Sequence, residues 1–124
     1  MSGIRAVEVS ELRANWSHEL EAAAGGDVLV TGRRGAREVV LMPPDTWRDG
    51  RAVVAVNDSQ CEELTSMQVR TGFRKVRQAV QRGAHVVVTV WGDVTGVLVP
   101  YEWARQVLPE IDLLESGAPS TPRS

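Results

Sequence analysis

The chain has 124 residues, 43% of them hydrophobic and 24% charged, with a formal net charge of −2. That length holds one ordinary domain or two very small ones, and no apolar run nears the roughly 20 residues that cross a bilayer. The charge balance speaks against a strongly basic nucleic-acid-binding domain, and the single cysteine, Cys61, excludes an internal disulfide. The N-terminus lacks the apolar core of a signal peptide, so the expectation is a cytoplasmic protein with no membrane association.

Ile4 to Val9 alternates and reads as a short strand. Val9, Leu12, Trp16, Leu20 and Ala23 then recur three or four apart, which predicts an amphipathic helix with Ser10 as its N-cap and Glu11 in its first turn. Gly25-Gly26 stops that helix. Val28 to Val30 is a buried strand, Gly32-Arg33-Arg34-Gly35 a turn, and Val39 to Met42 the return strand of a hairpin. Pro44 suits the first turn of a short helix that carries Trp47 and ends at Gly50. Arg51 to Val56, RAVVAV, looks like the opening strand again, with Glu62 and Glu63 as first-turn acids of a helix that includes Leu64, Met67 and Val69.

The second half repeats the plan of the first. Adding 57 carries Trp16 to Phe73, Gly26 to Gly83, Gly35 to Gly92, Leu41 to Leu98 and Pro43 to Pro100 without a gap, and Arg13 falls on Arg70. With Arg51 to Val56 as the second opening strand, the second copy is some eight residues longer before its helix aromatic. The expected division is residues 1–50, residues 51–108 and a flexible C-terminal tail, 109–124.

Each half resembles the Phd/YefM family of prevent-host-death antitoxins. The resemblance sits in VSELRANW, in the helix ending at Gly-Gly, in VLVTGRRG and in VVLMPPDTW. The second half matches through QVRTGF, RKVRQAVQRG, VVVTVWG and VLVPYEW. Together these cover most of residues 4–103. The resemblance implies an α+β fold of two tandem β-α-β-β-α units that form an intramolecular pseudo-dimer with a shared antiparallel sheet. It implies a cytoplasmic antitoxin that binds operator DNA as an autorepressor and neutralises a toxin protein through its C-terminal region, with homo-oligomers of pseudo-dimers as a further level. A DNA-binding regulator without a toxin, and a protein-interaction module that has lost DNA binding, stay open beside it.

By that resemblance Arg13 and Arg70 match the family's first-helix arginine in the two halves, where they could clamp phosphates or read two half-sites. Arg33 and Arg34 match its basic turn, whereas the second half carries Val90-Trp91-Gly92-Asp93 there. Arg70, Arg74 and Arg77 recur at four and three and predict one helical stripe with Lys75 beside it, either a phosphate-binding face or an ordinary solvated one. Leu108, Ile111, Leu113 and Leu114 lie in an acidic, apolar segment that could seat in a partner's groove. Trp16, Trp47 and Trp103 read as core, while Trp91 stands at a turn tip and can pack on the other half or on a partner chain. His18 and His85 are isolated, no nucleophile sits beside a base, and no phosphate loop occurs. The chain is therefore read as a non-enzyme without metal or cofactor.

Overall fold

A computed structural model describes residues 3–33 and 36–113, with the side chain of Leu113 left out. The elements run β1 (Ile4–Glu8), α1 (Val9–Ala14), α2 (Trp16–Ala24), β2 (Val28–Arg33), β3 (Ala36–Met42), α3 (Pro44–Val53), β4 (Cys61–Thr65), α4 (Ser66–Thr71), α5 (Phe73–Gln81), β5 (His85–Val90), β6 (Asp93–Pro100) and α6 (Tyr101–Val107). Single 3-10 turns occupy Asp58–Gln60 and Pro109–Leu113. The chain is α+β: six strands form one mixed open sheet in the order β1-β2-β3-β6-β5-β4, with helices on both faces.

Burial on both faces explains the strand sequences. Leu29, Val39, Leu41, Val86, Val88 and Leu98 face a core that also holds Leu12, Trp16, Leu20, Val69, Phe73 and Val80 of α1, α2, α4 and α5. Their neighbours Val28, Val30, Val40, Met42, Val97 and Val99 face the opposite core, under Trp103 and Ala104 of α6 and with Trp47 of α3 packed against it. A strand buried on both sides reads as a continuous apolar run, which is what VLV, VVLM, VVV and VLV are. The two edges are β1 and β4, and they carry Arg5, Glu8, Glu62 and Glu63, charges that discourage pairing with a further strand.

The offset of 57 holds for the start of every strand and helix: Ile4 and Cys61, Val9 and Ser66, Trp16 and Phe73, Val28 and His85, Ala36 and Asp93, Pro44 and Tyr101. Residues separated by that offset also meet one another in each layer. The Trp16 and Phe73 rings meet edge to face with centroids 6.2 Å apart. Leu41 and Leu98 are sheet partners on β3 and β6. Gly50 faces Val107, where a β-carbon at Gly50 would come within 3.1 Å of Val107 Cγ2 and 2.7 Å of the Trp103 ring. Only a residue without a side chain lets α3 approach α6 this closely.

Several sequence expectations are corrected. The second opening strand is Cys61–Thr65, and Arg51 to Val53 instead complete α3, where the Arg51 guanidinium lies 4.6 Å from the centroid of the Trp47 ring. The second copy is therefore no longer than the first, Glu62 and Glu63 lie on a strand, and the boundary between residues 50 and 51 falls inside a helix. Each long helix is two helices, broken at Asn15 and Gly72, whose φ values of −113° and −108° leave the helical range. Glu8, with Glu11, forms the capping box of α1 in place of Ser10. Gly32 and Arg33 belong to β2, beside a bulge at Thr31/Gly32. The sheet is mixed and not wholly antiparallel, because β1 runs parallel to β2 and β4 parallel to β5.

Candidate nucleic-acid interface

Two short helices from different halves frame a basic groove. This groove of about 1030 Å³ runs between α1 and α5 and is lined by Arg13, Arg33, Arg74 and Arg77, with Glu8, Ser10 and Gln78 among its polar partners. The fold assembles it from distant sequence. The capping box at Glu8 starts α1, which leaves Leu12 in the core and Arg13 exposed. Phe73, Val76 and Val80 anchor α5 and turn Arg74 outward. Arg33 ends β2 at the rim.

The four arginines are not equivalent. Arg77 is largely buried and its Nη1 donates to Glu38 Oε1 on β3 at 2.7 Å, with the two side chains 13% and 17% exposed. It is a tie between the halves before it is a ligand group. Arg13, Arg33 and Arg74 are exposed and make no ion pair among the described residues, and the carboxylate of Glu8 lines the same groove, so its net charge is positive but partly offset. Lys75 is exposed on α5 and is absent from the groove lining.

The expected single stripe of Arg70, Arg74 and Arg77 does not exist, because the break at Gly72 puts Arg70 on α4 and the other two on α5. Arg70 is exposed but lies outside the groove. At the positions 57 away, Arg13 corresponds to Arg70, Arg33 to Val90, Arg74 to Ser17 and Arg77 to Leu20. One arginine of four is kept, so the equivalent positions in the opposite half do not repeat this set of charges. Arg34 lies outside the described residues.

The expected partner-binding segment is divided. Ile111 is 0% exposed and Leu108 half-buried in the core beneath α6, so both side chains are committed to this chain's own packing. The Tyr101 hydroxyl donates to Asp112 Oδ1 and Arg105 Nε to Asp112 Oδ2 at 3.3 Å, which fastens the turn to α6. The Tyr101 hydrogen bond, then Arg105, holds the Asp112 carboxyl below its usual range. Burial, followed by the Asp112 bond, pushes the Tyr101 phenol up to about 12. Residues 109–113 are thus a packed turn rather than a free tail. Of Leu113 only the backbone is described, and Leu114 lies outside the described residues.

Two features carried little sequence signal. Glu38 sits in a strand and gives no hint that it closes on Arg77, 39 residues away. His85, isolated in sequence, is buried: its Nδ1 accepts from Trp47 Nε1 at 3.0 Å and its ring meets Trp103 edge-on at 4.8 Å. Burial, with Arg51 nearby, pushes its pKa down to about 4. Among the described residues no group of three or more His, Cys, Asp or Glu side chains could hold a metal ion, and no helix is long and apolar enough to cross a membrane. No family model, curated protein or solved structure matches the chain.

Proposed function

We propose that the chain is a tandem, single-chain Phd/YefM-like regulator that binds DNA without catalysis and acts as a repressor. The observation that carries this reading is the groove between α1 and α5, where Arg13 of the first half and Arg74 of the second converge with Arg33. Exposed guanidinium groups on two short helices and a strand end suit phosphate oxygens, which position a duplex and give steep salt dependence. The tandem part of the reading is supported by the meeting of residues 57 apart in all three layers. A two-fold relation between halves produces that pattern, and covalent linkage removes the concentration dependence of pairing.

The test is binding to the DNA upstream of the reading frame, at two salt concentrations, for the wild type and Arg13→Ala/Arg74→Ala. Specific binding is expected, and the double variant should flatten the plot of log affinity against log salt by about 2, near 0.9 for each phosphate that is no longer neutralised. Binding that the double variant leaves unchanged would place the DNA face elsewhere, and an absence of specific binding at low salt would end the proposal.

An antitoxin role is the second reading. It rests on the family resemblance and on the acidic, apolar residues 112–115. With Leu108 and Ile111 in the core, a toxin contact falls to residues from Leu113 onward. Co-purification of a neighbouring gene product that truncation after Asp112 abolishes would support it.

A further inference from the structure

Trp91 is 97% exposed, in a fold that buries Trp16 and Trp103. It is also the one non-glycine residue with positive φ among the described residues, at 52°, followed by Gly92 at 84°. Val90 pairs with Asp93, so Trp91-Gly92 is a two-residue hairpin turn of the type that needs positive φ at both positions. Asn, Asp or Gly suits the first of these positions, and a tryptophan there is disfavoured twice, by its backbone and by its exposed ring. Among the described residues nothing compensates for either.

Beside the turn lies an open depression of about 620 Å³, more polar than apolar overall, in which Ala24, Pro43, Pro44 and Val94 form an apolar part beside Asp45, Thr46 and Arg48. Val94 is three residues past Trp91 and is itself 46% exposed, so knob and hollow adjoin on one end of the sheet. A two-fold interface between identical chains needs that arrangement, because each copy must offer both halves of the contact on a single patch. The charges agree. Asp93 flanks the knob, and Arg48 stands on the rim of the hollow, in an exposed pair with Asp45 at 2.8 Å. Exposed pairs of this kind contribute little and exchange partners readily. The carboxylate of Asp93 also makes this tip unsuited to a phosphate backbone.

We propose that the Trp91 turn is the knob of a two-fold interface between two copies of this chain. Trp91 of each copy enters the hollow of the other, and Asp93 meets Arg48 across the contact. β2 and β5 run in opposite directions through the sheet, so the turn after β5 and the Arg33 end of β2 lie at opposite ends. The arginine groove therefore stays open in the pair, and this proposal stands or falls apart from the DNA reading.

The experiment is sedimentation velocity on the full chain over a concentration series. The wild type should pass from monomer to dimer. Trp91→Asn should raise the dissociation constant at least about tenfold, the loss typical of a central aromatic anchor, while its melting temperature stays level or rises, because Asn fits the turn. Asp93→Arg and Arg48→Asp should each weaken the dimer, and the two together in one chain should restore it. A wild type that is monomeric at every concentration, or a dimer that Trp91→Asn leaves intact, would overturn the proposal.

Discussion

Leu41 and Leu98 face each other across the seam between β3 and β6, and each is the other's counterpart 57 residues along the chain. Both side chains are buried in the core under α1, α2, α4 and α5. Neither half can satisfy its inner strand alone, since β3 and β6 each form one neighbour's hydrogen bonds from the other half. Leu41→Ala and Leu98→Ala should each cost about 2–5 kcal/mol, the range for leucine deletions in a packed interior. Because they share the seam, the double variant should depart from additivity by about 0.5–3 kcal/mol. Urea denaturation of the four chains in a double-mutant cycle measures this, and strict additivity would mean that the two halves do not share a core.

The His85 cluster makes stability depend on pH in a defined window. The folded chain holds this imidazole neutral, with its pKa pushed down to about 4 by burial and then by Arg51. The unfolded chain returns it to about 6.5. Between those values the unfolded state binds the extra proton, so stability rises with pH there and is lost as pH falls from 6.5 towards 4. The loss from this group reaches about 3 kcal/mol at its lower end. His85→Gln keeps an acceptor for Trp47 Nε1 and removes the titration. Denaturation midpoints at pH 7.5, 6 and 5 should fall more steeply for the wild type than for the variant, and parallel curves would show that His85 titrates normally.

The sequence made the repeat legible because glycine, proline and aromatic positions mark turns and core sites whatever the intervening residues are. Gly26 and Gly83, with φ of 114° and 112°, occupy the same helix-ending position in both halves. The strands β2, β3, β5 and β6 were legible as apolar runs. β4 was not, because CEELT is an edge strand with two exposed acids and lacks the continuous apolar run that VVAV shows. The VVAV run instead divides between the end of α3 and the segment where Val56 is buried, so it gave a false strand signal. Arg13 and Arg74 were legible singly, but their meeting across 61 residues is a product of helix packing. The breaks at Asn15 and Gly72 were hidden because an apolar stripe continues through them, from Leu12 to Trp16 and from Val69 to Phe73.

Arg74 and Arg77 line one groove on the same helix, yet their substitutions should separate binding from stability. Arg74 is exposed and has no ion pair among the described residues. Arg74→Ala should leave the melting temperature close to that of the wild type and reduce the salt slope of DNA binding by about 0.9. Arg77 instead holds Glu38 at 2.7 Å in a partly buried pair between α5 and β3. Arg77→Met keeps the apolar stem and removes the charge, which leaves the Glu38 carboxylate unpaired. That should cost about 1–2 kcal/mol after allowance for its partial exposure. Glu38→Gln on the Arg77→Met background should recover part of the loss, because it removes the orphaned charge while keeping the side chain's shape. Thermal melts and DNA titrations on the four chains provide the check. If Arg77→Met lost DNA affinity as Arg74→Ala does while keeping full stability, Arg77 would be a phosphate ligand and the Glu38 pair incidental.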